Sequence, residues 1–316
     1  MTFIPENASS PVILTGDVTE YNGRVLSMQT ISGRPEIIPI DRIERVETTY
    51  VDDFLKGIDE FKAGNTDVAE RLFHDAMKQE RREWAKREIL AWLVKCDLRS
   101  GDLSSAVHLF RELARTDPYT LHWGTAPLIW APLSVSPSLK RDVKPWLSNG
   151  NPSEQLIAAS LLLLDAGSSR DAEDTLRELS RNTNPRISML SRAQMWRKEL
   201  ISNQVTSESL ARWRSDLQRL PESMRAGPQS LLYQGYQQRG ELRQAAAEAL
   251  WIPYVYPDHE LLSARALFDA GEALRQTGLQ ADAQALYREL KVNYGWSREA
   301  ALAASRLSEA AGSNAN

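Results

Sequence analysis

Cysteine is nearly missing from this 316-residue chain. A single thiol, Cys96, excludes an intramolecular disulfide and a thiolate metal cluster. It lies in the apolar helical stretch 89–96, where a thiol acts as packing volume unless a histidine activates it, and the neighbouring sequence supplies none. Histidine is scarce as well. His74, His108, His122 and His259 are scattered, without HExxH or paired metal-ligand spacing. His74 and His108 fall on predicted second helices beside core positions. No GxSxG, Walker-type or GxGxxG run occurs. Asp258-His259-Glu260 reads as a helix N-cap, and Asp52-Asp53 as acidic groups at the positive end of the first helix. No residue nominates itself for catalysis, and no cofactor or metal is expected.

An excess of basic charge is missing too. Lysine and arginine number 38 against 42 acidic residues, for a net charge of −4 with the signs interspersed. Nucleic-acid binding needs a clustered basic face that displaces counterions from phosphates, so it is not expected. The densest basic stretch, 78–87, contains Glu80 and Glu83, as a solvated helix face does. The longest apolar run, 156–164 with Ser160 inside it, is too short to cross a bilayer, so direct membrane insertion is not expected. No basic segment followed by a hydrophobic stretch opens the sequence. That points to the cytoplasm, or to the cell envelope or periplasm if the natural chain begins earlier. The hydrophobic share of 42% is ordinary for a globular protein.

The first fifty residues have a β texture. A run over 11–21 is followed by Asn22-Gly23 and a second run over 24–30, the signal for a type I′ hairpin in which both turn residues take positive φ. Ser32-Gly33 marks another turn before a third strand over 36–40. Pro39 lacks a ladder donor and assigns that strand to an edge. Ile43, Val46 and Thr48 suggest a last short strand, while 1–10 and 312–316 read as frayed. Such a sheet is marginal alone, so it is expected to pack on the first helices.

From residue 51 the period becomes helical, and glycine-led turns recur. Gly64, Ala69 and Phe73 are matched by Gly101, Ala106 and Phe110, each 37 residues on. Gly57 and Ala76 frame the first set, and Leu113 with Asp117-Pro118 closes the second. Further sets are Gly167, Ala172, Leu176, Leu179 and Pro185; Gly240, Ala245, Ala249 and Pro257; and Leu267, Ala270, Gly271, Leu274, Gly278, Ala283, Tyr287 and Leu290. The stretch 187–220 is helical without those marks and reads as a degenerate pair. Small residues let paired helices approach, the glycine after each first helix takes the left-handed cap, and the aromatic fills the space between helices.

This pattern resembles the tetratricopeptide repeat over most of 51–310. The resemblance implies a mainly α chain: an α-solenoid of tetratricopeptide-like helix pairs preceded by a small antiparallel, SH3-like β domain. The expected divisions are 1–50 for the β domain, 51–118 and 153–310 for repeats, 119–152 for an interruption, and 311–316 for a disordered tail. The interruption, with its neighbouring Pro118, holds six of the fifteen prolines and Trp123, Trp130 and Trp146. Its tryptophans read as plugs in a seam or, alternatively, as a groove rim. In the family, first helices line a groove that takes a peptide or protein. Repeat register assigns Lys95, Arg99, Gln234, Gln238, Glu272 and Arg275 to it. The implied function is a bacterial, non-catalytic protein-binding scaffold. The alternatives are a structural part of a cell-envelope or secretion assembly, and an enzyme of unrecognised class.

Overall fold

The computed structural model of the chain describes residues 1–3 and 12–313, side chains being described to residue 310. The protein is mainly helical, with fourteen α-helices and a small N-terminal antiparallel two-sheet region among the described residues. It divides into two compact units, Met1–Pro127 and Leu128–Asn316.

In the first unit, β1 (Thr2–Phe3) pairs with β2 (Val12–Ile13) and, later in the chain, with β6 (Ile43–Arg45). Residues 2 and 3, expected to fray, are therefore held on both sides; 4–10 lie outside the described residues. The second sheet has the order β3 (Gly16–Tyr21), β4 (Val25–Thr30), β5 (Pro35–Pro39). Leu26, Met28 and Ile38 form its buried face. Pro39 does sit on an edge strand. Ile40 and Arg34 take the ladder bonds to Arg24 and Thr30 on either side of it, so Pro35 and Pro39 fall where an N–H would face away from β4.

The Asn22-Gly23 turn differs from its expected form. Neither residue has positive φ. The bond from the Asn22 amide to the Val25 carbonyl (3.0 Å) makes Gly23 and Arg24 the central pair. Asn22 instead uses its side chain, whose Oδ1 accepts from the Arg24 and Val25 amides at 2.9 and 3.0 Å. Gly23 is glycine for another reason: a Cβ there would overlap the Tyr119 carbonyl. Its amide donates to Asp117 Oδ2 at 2.9 Å, and the Arg24 guanidinium lies 3.6 Å over the Tyr119 ring.

Four helices complete this unit: α1 (Asp52–Lys62), α2 (Thr66–Gln79), α3 (Glu83–Ser100) and α4 (Leu103–Thr116). The β region packs on them as expected. Trp84 donates to the Val18 carbonyl (3.2 Å) and Arg87 to the Tyr21 carbonyl (3.1 Å), which covers the outer edge of β3. The second unit contains α5 (Pro137–Val143), α6 (Pro152–Leu162), α7 (Ser169–Leu179), α8 (Pro185–Ile201), α9 (Ser207–Arg219), α10 (Ala226–Gln238), α11 (Leu242–Val255), α12 (Glu260–Gln276), α13 (Gln280–Asn293) and α14 (Arg298–Ser313). The proline-rich stretch forms only short helices. Its tryptophans are packing residues: Trp123 lies edge-on to Phe110, and Trp146 is buried. Trp130 sits against Gly227.

Gly64, Gly101, Gly240 and Gly278 take φ between 76° and 88°. After each, the next amide reaches back five residues, as in Asn65 to Glu60 (2.9 Å) and Leu279 to Leu274 (3.0 Å), satisfying a terminal carbonyl. Gly167 is a correction, for its φ is not positive. There Ser168 and Ser169 both donate to the Asp165 carbonyl instead. The stretch without glycine marks also has its turn: Asn203 takes φ 55°, and Gln204 donates to Glu199 at 3.0 Å.

Counted from these glycines, the residue five further on is always a buried alanine: 69, 106, 172, 245 and 283. The residue seven before and the one nine after trade volume. They are Gly57 and Phe73, Val94 and Phe110, Ser160 and Leu176, Tyr233 and Ala249, Gly271 and Tyr287, all buried. Where one helix offers a large side chain its partner offers a small one, as dense packing demands. At Gly57 and Gly271 a Cβ would press into the Phe73 and Tyr287 rings.

Candidate functional site

The six residues assigned to a groove are engaged within the chain. Arg99 donates to the Phe61 carbonyl and lies over the Phe61 ring at 3.3 Å. Gln238 donates to the Leu200 carbonyl at 2.6 Å. In both cases a side chain two residues before a turn reaches the carbonyl three residues before the preceding turn, which also accepts from the amide of that turn's residue, Gly64 or Asn203. Gln234 bonds the carbonyls of Trp130 (3.0 Å) and Ser230 (2.9 Å). Lys95 sits 4.2 Å from the Trp92 ring centre.

Glu272 and Arg275 come together in a network with Tyr287 and Arg306. Glu272 accepts from Tyr287 at 2.6 Å, from Arg275 at 3.0 Å and from Arg306 at 2.9 Å. Burial raises the carboxyl's pKa, but the bonds from Arg275, Tyr287 and Arg306 outweigh it and bring it down to about 2. The network pins α14 to α12. Arg99 thus ties α3 to α1, Gln238 ties α10 to α8, and the Glu272 network ties α12 to α13 and α14.

A different surface stands out on the second helices. After Gly64, Gly101 and Gly167 the residues eleven and fourteen further on are exposed opposite charges: Asp75 and Lys78, Glu112 and Arg115, Glu178 and Arg181. Such pairs keep a helix face solvated. On α11 the same two positions are Trp251 and Tyr254, 51% and 56% exposed, with Val255 beside them. On α13 they are Glu289 and Val292, the latter 82% exposed. Tyr254 donates to Glu289 at 2.8 Å, so the two helices present one continuous surface. Burial first, then that bond, pushes the Tyr254 hydroxyl up to about 12, and it stays protonated as a donor. Just beyond α13, Tyr294 lies edge to face with Trp296 and packs against the core. Pro253, inside the last turn of α11, removes a ladder donor and limits the helix, which ends at Val255.

Sequence reading missed this surface. The available signal was the loss of an acid–base pair at fixed distances from the turn glycine.

Other candidates fall into structural roles. Cys96 is fully buried in α3. His74 is exposed and lies 3.8 Å from Glu70; His122 lies 3.4 Å from Glu88. His259, not Asp258, occupies the N-cap of α12, with no side-chain cap bond. Its ring is 3.1 Å from the Ser223 carbonyl. Among the described residues no three His, Cys, Asp or Glu side chains are grouped to hold a metal ion. No helix among them is long and apolar enough to cross a membrane.

The chain matches no protein-family model, and no curated protein matches it.

Proposed function

We propose that the protein is a non-catalytic scaffold that binds another protein, and that the partner covers the aromatic surface of α11 and α13. The observation that carries this reading is the replacement of solvated charge pairs by Trp251, Tyr254 and Val292 at matching positions of adjoining repeats. Exposed tryptophan and tyrosine supply contact area at low entropic cost and are enriched at interface hot spots. The alternation of left-handed turns, buried alanines and volume-swapped pairs supports tetratricopeptide-like repeats, stacked within each unit as a short α-solenoid. The two sheets make an SH3-like module whose hairpin tip docks on residues 117–119.

The test is co-purification from cells that naturally make the protein. Wild type is compared with Trp251→Glu/Tyr254→Glu and with a control, Glu112→Lys/Glu178→Lys, on the solvated faces. A partner lost from the first variant and kept by the control supports the reading. A partner kept by both contradicts it.

A further inference from the structure

A second site lies between α8 and α9, away from that surface in the sequence and in chemistry. Its floor is the Trp196 ring, 4% exposed and stacked on Trp213 at 5.0 Å with 7° between the planes. Met189, Ala193 and Leu220 complete an apolar wall, Arg192 and Arg219 stand exposed at the rim, and the half-buried Asp216 carboxylate lines the cavity beside Arg219. The cavity measures about 220 Å³. Small-molecule sites run from ~300 to 1,000 Å³, so this one has room for a single large apolar side chain and little else.

The rim charges decide what accompanies that side chain. Arg192 bonds only to Ser188 of its own helix, at 3.0 and 3.4 Å, and pairs with no carboxylate among the described residues. Arg219 has Asp216 at 3.8 Å, the far limit of an ion pair. Both guanidinium groups therefore keep donors for an incoming carboxylate.

We propose that this cavity anchors a peptide segment in which a leucine-sized or phenylalanine-sized side chain is followed by glutamate or aspartate. The apolar side chain lies against Trp196 while the acidic groups meet Arg192 and Arg219. This goes beyond the scaffold reading and does not depend on the α11/α13 surface, since a partner lost by the Trp251/Tyr254 variant leaves the cavity intact.

The experiment titrates the full chain with acetyl-Leu-Glu-Glu-amide and its neutral twin acetyl-Leu-Gln-Gln-amide, following the indole N–H resonances of Trp196 and Trp213. The expected result is a saturable shift of the Trp196 signal. The acidic peptide should bind about fivefold more tightly at low salt, the size of one modest surface ion pair, and that advantage should collapse in high salt. Arg192→Glu/Arg219→Glu, changed only at exposed positions, should keep the wild-type melting curve and lose the preference. No saturable shift with either peptide would overturn the proposal. So would equal binding of the two, or a preference that survives the double reversal.

Discussion

The pairing of Gly57 with Phe73 permits a test in which two damaging changes partly repair each other. Phe73 is fully buried on α2, its ring 5.8 Å from those of Phe54 and Trp92. Truncation to alanine removes a large aromatic and leaves a hole that helices cannot fully close, costing about 3–5 kcal/mol. Gly57→Ala places a methyl group inside the Phe73 ring contact and forces α1 and α2 apart, costing about 1–3 kcal/mol by overpacking. In the Phe73→Ala background the clash is gone, and the alanine fills part of the hole while favouring helix by about 1 kcal/mol. Gly57→Ala should then change sign and become stabilising, which gives a coupling of about 2–4 kcal/mol in the double-mutant cycle. Urea unfolding followed by far-UV circular dichroism measures each corner. Additive effects would refute the volume-swap account of helix pairing.

Three further outcomes follow from the same geometry. Glu272 is held near pKa 2 against an ordinary 4.5, so its contribution is complete above pH 4.5 and lost as pH falls toward 2. Glu272→Gln should therefore loosen α14 at pH 7, seen as faster amide exchange, with the difference from wild type closing at low pH. Asp97 behaves oppositely: burial, then Glu70 and Asp102, push it from 3.8 up to about 6, and its Oδ2 accepts no hydrogen bond. Its ionisation weakens the fold as pH rises through 6, so Asp97→Asn should stabilise the fold at pH 8 by about 1 kcal/mol after solvent screening, seen as a higher melting temperature, and not at pH 4. Gly23→Ala should push the hairpin tip off Tyr119 at a cost of about 1–3 kcal/mol, read as a lower melting temperature and lost protection of the Gly23 amide.

How far the sequence carries the fold depends on which physics each residue obeys. The helix pairs were legible because a left-handed cap, a small contact residue and a filling aromatic must recur at fixed spacing. Asn203 is hard to read from sequence because glycine is the usual marker of a left-handed cap, although asparagine also tolerates that conformation. Gly23 was misread because one residue type serves two needs. Local turn chemistry and close tertiary approach both select glycine, and only the chain at Tyr119 distinguishes them. Arg99 and Gln238 lie near the C-terminal ends of α3 and α10, and polarity alone does not reveal that a helix-end carbonyl lies opposite each. The aromatic surface was accessible in principle, since Trp251 and Tyr254 stand at the same distances from Gly240 at which acid and base follow Gly64, Gly101 and Gly167.

The central claim is that a partner covers that surface. Its most direct test installs the photocrosslinking residue benzoyl-phenylalanine, one position at a time, in place of Trp251, Val292, Glu112 or Glu178, and irradiates living cells. The account predicts one common adduct from positions 251 and 292 and none of that mass from 112 and 178. Adducts from 112 and 178 alone, or equal labelling at all four, would contradict it.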